Sequence, residues 1–173
     1  IDNEISRFWK ALVEGGVTKN GREWTLSGEV PWIGRVKTFY NRECYDTIQN
    51  NIANMSAVLV KGTPGIGKTM FLQRVLVDIV EAARAAGKAL PTIDYVRYEI
   101  NIAVQYRLHS DGTVSFRNRN SVDYCLSDSV DLETLFGTTL TLLVASVKES
   151  NYNTFSKRVA EASRKGIVLH MDL

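Results

Sequence analysis

The chain has 173 residues, 45% hydrophobic and 23% charged, enough apolar material for one domain with a real core. A formal net charge of +2 without any basic run excludes binding to nucleic acid by bulk charge alone, and Arg117-Asn118-Arg119-Asn120 reads as a solvated strand end. No apolar run reaches the length of a membrane span, and Cys44 and Cys125 lack metal-ligand spacing and read as buried free thiols of a reducing compartment.

In chain order, Ile5, Phe8, Trp9, Leu12 and Val13 recur at helical spacing, and Gly15-Gly16 stops that helix. Residues 17–35 are mixed, with Trp24, Pro31, Trp32 and Gly34 predicting short strands and turns. Residues 1–35 are thus expected to lead into a core at 36–173, and the start at Ile1 suggests a domain excised from a longer protein. Residues 39–55 predict a second helix with Cys44, Tyr45, Ile48 and Ile52 on or near one face. Ala57 to Val60 is an apolar run of strand length. A helix follows position 68, burying Phe71, Leu72, Val75, Leu76, Ile79, Val80 and Ala83 and ending at Gly87.

Residues 93–102 alternate as one strand. Val104, Tyr106 and Leu108 mirror Val114 and Phe116 across Ser110-Asp111-Gly112, which predicts an inserted hairpin with Gly112 left-handed. A short strand at 122–126 ends at Asp128, residues 132–136 form a helical turn or two, and 140–147 is a buried strand. Residues 151–165 predict a helix with Phe155, Val159 and Ala162 inward, capped by Gly166, before a last strand at 167–171. Strands alternating with helices imply a three-layer α/β fold on a parallel sheet.

Between the strand at 57–60 and its helix lies Gly62-Thr63-Pro64-Gly65-Ile66-Gly67-Lys68-Thr69, followed by Met70. It fits G-x-x-x-x-G-K-[ST] in the strand–loop–helix context that the pattern requires. Glycines let the backbone curl round a polyphosphate with its N–H groups inward, and the helix turns its positive end to the anion. In this reading Gly62, Thr63, Pro64, Gly65, Ile66, Gly67 and Met70 cradle the nucleotide, Lys68 neutralises the β- and γ-phosphates, and Thr69 holds Mg²⁺. The expected ligands are ATP and Mg²⁺. GTP is disfavoured because no N-K-x-D segment is present; Thr18-Lys19-Asn20-Gly21 precedes the loop and lacks the aspartate.

The metal shell of such a site needs a carboxylate at the end of a neighbouring strand. Asp94 lies inside a strand and reads as structural or surface; Asp128 and Asp172 each end an apolar run, and pattern leaves both open. The general base is open as well. Ser129 stands after Asp128, where a glutamate often sits, and Glu99, Asp123 and Asp131 are weak candidates. His109 falls at the hairpin tip and His170 reads as a packed strand residue.

The segment Val60-Lys61-Gly62-Thr63-Pro64-Gly65-Ile66-Gly67-Lys68-Thr69-Met70-Phe71-Leu72 resembles the phosphate-loop segment of Crinkler effectors and retrotransposon hot spot proteins. Phe39-Tyr40-Asn41-Arg42-Glu43-Cys44-Tyr45 is similar to that family's arginine-and-tyrosine helix. Val144-Ala145-Ser146-Val147-Lys148-Glu149-Ser150-Asn151-Tyr152 is similar to its strand ending in serine-proline, with Val147 in place of the proline. The resemblance spans roughly residues 36–172 and favours Asp128 over Asp172, since the family's aspartate strand precedes the serine strand. It implies an additional-strand P-loop NTPase in which Thr69 and Asp128 hold the metal and Ser146 senses the γ-phosphate, with Lys68, Asp128 and Ser146 as the catalytic set. It also implies a larger protein with a further C-terminal part, nuclear or host-nuclear in location, acting with nucleic acid or nuclear protein partners. Without the resemblance a cytoplasmic site is expected, with oligomers allowed and no membrane. A switch that binds nucleotide with little hydrolysis is the second reading. A small-molecule kinase ranks last, because only Arg158 and Arg164 remain after Arg119 to build a lid.

Overall fold

The computed structural model describes residues 1–63 and 67–171. Helix α1 (Glu4–Gly15) leads into a small antiparallel sheet of β1 (Val17–Asn20), β2 (Glu23–Leu26) and β3 (Phe39–Tyr40), followed by α2 (Glu43–Ile52). Strand β4 (Ala57–Lys61) runs into the glycine loop and α3 (Lys68–Ala85). Then come β5 (Ile93–Glu99), β6 (Ile102–Leu108), β7 (Val114–Phe116), β8 (Val122–Asp128), β9 (Gly137–Ala145), α4 (Asn153–Glu161) and β10 (Gly166–His170). The main sheet has seven strands in the order β10-β4-β9-β8-β5-β6-β7. The run from β10 to β5 is parallel, and β6 and β7 extend it antiparallel. The fold is therefore α/β on a mostly parallel mixed sheet, and β9 separates β4 from β8.

The central strands are apolar on both faces because both faces are covered. Val58, Val60, Leu126, Leu142 and Val144 join Phe71, Leu72 and Leu76 of α3 and Phe8, Trp9 and Leu12 of α1 in one cluster. On the other face, Leu59, Cys125, Leu143 and Ala145 pack with Phe155 and Val159 of α4. Helix α1 starts at a capping box between Asn3 and Ser6 and ends at Gly16, whose φ of 73° suits glycine. A run of rings links α1 to α3: Phe8–Trp32 (centroids 5.8 Å apart), Trp32–Phe39 (4.8 Å), Phe39–Tyr45 (6.0 Å) and Tyr45–Phe71 (5.6 Å).

Several sequence expectations are corrected. The second helix starts at Glu43, not 39. Phe39 and Tyr40 pair with Trp24 and Glu23, an extended backbone that lets the Phe39 ring stack on Trp32. Residues 93–102 are not one strand. The chain reverses at Ile100 and Asn101, whose φ values of 47° and 66° make a tight left-handed turn, and Ile93↔Leu108 through Glu99↔Ile102 pair across it. Residues 132–136 are not helical: Leu132 is buried in the α4 cluster, and the Asp131 carboxylate accepts the Thr154 and Phe155 N–H groups. Gly166 opens β10 and caps the short 3-10 turn Ser163–Lys165 rather than α4, which ends at Glu161; a Cβ there would sit 2.1 Å from the Val159 carbonyl oxygen. His170 is exposed and Cys44 only half-buried. The second hairpin forms as read, with Leu108↔Val114, Tyr106↔Phe116 and Gly112 at φ 90°.

Asp94 is structural and buried. Its carboxylate accepts from the Arg107 guanidinium, also buried, and from Gln105 Nε2 at 2.7 Å. Arg107→Ala would strand that charge in the core, at a cost of about 3–5 kcal/mol in urea unfolding. A loss below about 1 kcal/mol, the range of solvated pairs, would show that Asp94 reaches water.

Candidate functional site

The parallel strands end together at one edge of the sheet. Lys61 of β4 lies level with Ala145 of β9, and Asp128 of β8 with Val144. Gly62 extends this ladder by donating its N–H to the Ala145 carbonyl at 3.1 Å. Pro64, Gly65 and Ile66 of the glycine loop lie outside the described residues. The loop rejoins the helix at Gly67, whose φ of 93° and whose closeness to Tyr45 both demand glycine; a Cβ would sit 2.4 Å from the Tyr45 hydroxyl. That hydroxyl donates to the Gly67 carbonyl at 2.9 Å. Burial, against the pull of Arg42, pushes the Tyr45 pKa up to about 12, so the phenol stays a donor.

Lys68 folds back over the loop and donates to the carbonyls of Gly62 (3.0 Å) and Thr63 (2.9 Å). Burial lowers its pKa, opposed by the Asp128 charge. The Thr69 hydroxyl, in the first turn of α3, donates to Asp128 Oδ2 at 2.7 Å. The Ser129 hydroxyl reaches Oδ1 at 3.3 Å, and the left-handed Ser129 backbone donates its N–H to Val144 at 2.8 Å. Ser146 follows β9 directly, and its hydroxyl accepts from Asn151 Nδ2. Lys68, Thr69 and Asp128 are thus brought together, with Ser146 at the end of the strand between. Asp172 lies outside the described residues, and β10, which leads to it, flanks β4 on the side away from β8. Met70 packs against the backbone of Gly34, where a Cβ would meet its methyl at 3.2 Å.

The other carboxylates weighed as bases are engaged elsewhere. Glu99 accepts from the Tyr106 hydroxyl at 2.5 Å and from Arg97 at 2.8 Å. Asp123 holds the Thr92 N–H and hydroxyl, and Asp131 caps α4. A cavity of about 570 Å³ is lined by Arg22, Tyr40, Arg42, Glu43 and Cys44, and the Arg42 guanidinium carbon would lie 3.6 Å from a Cβ at Gly67. A hydroxyl touching a carboxylate is a hard oxygen pair that fits Mg²⁺. Among the described residues no three His, Cys, Asp or Glu side chains gather. Such a cation would therefore keep water and substrate oxygens as its remaining ligands.

Residues that the sequence reading missed surround this set. Gln73, fully buried, accepts the Ile33 N–H at 2.8 Å and donates to the Ile33 carbonyl at 2.9 Å, clamping the 31–35 turn to α3. Its signal was a polar side chain one turn after Thr69 on the apolar face. Tyr95 of β5 is fully buried, and its hydroxyl lies near the Asp128 carboxylate without forming a well-directed hydrogen bond to any described residue. Comparison of the chain with protein-family models, with curated proteins and with solved structures found no match.

Tyr45 also gives the site a pH signature. Its folded pKa, about 12, lies above the ordinary phenol value near 10, so its contribution is complete below pH 10 and is lost as pH rises through 12. Urea unfolding from pH 9 to 12 should therefore show a smaller alkaline loss for Tyr45→Phe than for the unaltered chain. Equal slopes would mean that the phenol ionises as freely in the fold as in water.

Proposed function

We propose that the chain is an additional-strand P-loop NTPase domain that binds ATP with Mg²⁺, a module of a larger protein of the Crinkler or retrotransposon hot spot kind. The observation that carries this is the Thr69–Asp128 hydrogen bond, which joins the start of the helix after the glycine loop to the end of a strand two places away. The interposed β9, ending next to Ser146, supports the additional-strand form. The motif match and the resemblance around it supply the nucleotide.

Each residue then has a physical task. Lys68 exchanges the carbonyls of Gly62 and Thr63 for phosphate oxygens, and its part-buried stem keeps the ammonium at the loop. The N-terminal amides of α3 point at the anion. Thr69 and Asp128 orient the metal shell, and Ser146, held by Asn151, faces the γ-phosphate from β9. Mg²⁺ supplies charge neutralisation between the phosphates. The cavity beside Gly67 has room for ribose and base, with the exposed Tyr40 ring at its wall. The engagement of Glu99, Asp123 and Asp131 elsewhere favours a domain that binds well and hydrolyses slowly.

Lys68→Ala should abolish ATP binding in calorimetric titration while costing less than about 1 kcal/mol of stability, as expected for a partly solvated cation. Unchanged ATP affinity in that variant would end the nucleotide reading. Asp128→Ala should keep binding but lose Mg²⁺-dependent phosphate release, and Asp172→Ala should do less; the reverse ranking would move the metal acid to the last strand. Turnover by the unaltered chain should stay below about one per second, the low end of complete enzymes. Faster steady-state release would mean that a competent base is present.

A further inference from the structure

The fully buried Tyr95 hydroxyl is the least explained polar group near the candidate site. A buried hydroxyl without a well-formed partner is destabilising, and a phenylalanine of the same shape would avoid that penalty. Its position is specific. Tyr95 pairs with Leu126 across β5 and β8, and side chains alternate along a strand, so Asp128, two residues after Leu126, lies on the same face. Both Tyr95 and Leu126 belong to the cluster under α3, the helix whose Thr69 touches Asp128. Burial first, and then the nearby Asp128 charge, raise the Tyr95 hydroxyl well above the ordinary phenol range. The phenol O–H is a donor on the face that carries the Asp128 carboxylate.

The other side of Tyr95 is closed by charge. Arg97, next on the same face of β5, is paired with Glu4 of α1 and with Glu99. Burial works against that guanidinium, but the two carboxylates hold its pKa above the usual value. Glu4 also accepts the Gly34 N–H at 3.3 Å, and Gly34 lies against Met70, the neighbour of Thr69. Thr69, Asp128, Tyr95, Arg97, Glu4, Gly34 and Met70 thus form a ring of neighbours round the end of β8. Arg97 donates its N–H groups to Glu4 and Glu99 and acts on Tyr95 through its charge. The carboxylate of Asp128 is an acceptor near the Tyr95 hydroxyl, and among the described residues its Oδ1 is held by the long 3.3 Å contact from Ser129.

We infer that Tyr95 is a positioning residue for Asp128, donating a hydrogen bond that fixes the carboxylate when Thr69 and Asp128 turn toward a magnesium–nucleotide complex. The inference rests on the nucleotide reading above and deepens it. Thr69, which donates its proton to Asp128, keeps its oxygen lone pairs for the cation, and the Tyr95 hydrogen bond would keep the carboxylate from turning about that single contact. Outer groups that orient a metal-holding carboxylate are commonly worth 10–100-fold in metal affinity.

Tyr95→Phe tests this, because it removes one oxygen and keeps the ring. Thermal melting of the protein alone should give an unchanged or raised midpoint. ATP affinity in EDTA should match that of the unaltered chain. The gain in ATP affinity on adding Mg²⁺ should fall by about tenfold. In an Asp128→Ala background, Tyr95→Phe should have no further effect on that gain. A lowered melting midpoint, an equal loss with and without Mg²⁺, or an additive loss in the Asp128→Ala background would make the hydroxyl structural and overturn the inference. An unchanged Mg²⁺ gain would overturn it too, while leaving nucleotide binding intact. If the unaltered chain binds no ATP in either condition, the nucleotide reading fails, and this inference falls with it.

Discussion

Ala57 to Val60 of β4 and Leu142 to Ala145 of β9 are wholly or almost wholly removed from water, and they are covered from both faces of the sheet. Their amides and carbonyls can be satisfied only by neighbouring strands, because no solvent reaches them. In-register pairing from Ala57↔Thr141 to Lys61↔Ala145, and from Leu126↔Leu142 to Asp128↔Val144, meets that demand. The register then decides the chemistry available. It sets Val60, Val144 and Asp128 level on one face, so the carboxylate meets the start of α3. A slip of one residue in β8 would turn Asp128 to the α4 face and leave Thr69 without it.

The loop junction is also held from outside the sheet. Tyr45 secures the Gly67 carbonyl, and its ring sits between Phe39 and Phe71. Phe39 in turn stacks on Trp32, in the turn that Gln73 clamps to α3. Parts of the chain far apart in sequence, α1, the 31–35 turn and α2, thereby converge on the first two turns of one helix. Rings give this support stiffness at little entropic cost, since each has few rotatable bonds to freeze.

The main frame was legible because its signals are strong and local. An apolar run, a glycine-rich loop and an apolar helix in succession mark β4 and α3, and the Leu108↔Val114 pairing follows from alternation about Gly112. Asp128 was legible only as one of two aspartates that end apolar runs; pattern left it level with Asp172, and the resemblance favoured it. The β5–β6 turn was not, because Ile100 is a β-branched residue that ordinarily avoids positive φ; tertiary pairing of both strands overrides its preference. Residues 132–136 have helical composition, but burial of Leu132 and the bonds of Asp131 to α4 outweigh it. Tyr95 was illegible near the site for another reason. In sequence it is one more aromatic in an apolar strand, and only the folded register sets it on the face of Asp128, whereas Tyr45 stood out only through the resemblance of its helix.

The two thiols differ in their exposure. Burial, reinforced by the Asp94 charge, pushes Cys125 up to about 12, so at neutral pH it holds almost no thiolate and is shielded from reagents. Cys44 is half-buried on α2, next to the tyrosine that grips Gly67. An alkylating fluorophore would therefore attach at one place without an engineered cysteine. It would sit on α2 one residue from Tyr45, whose hydroxyl holds the Gly67 carbonyl.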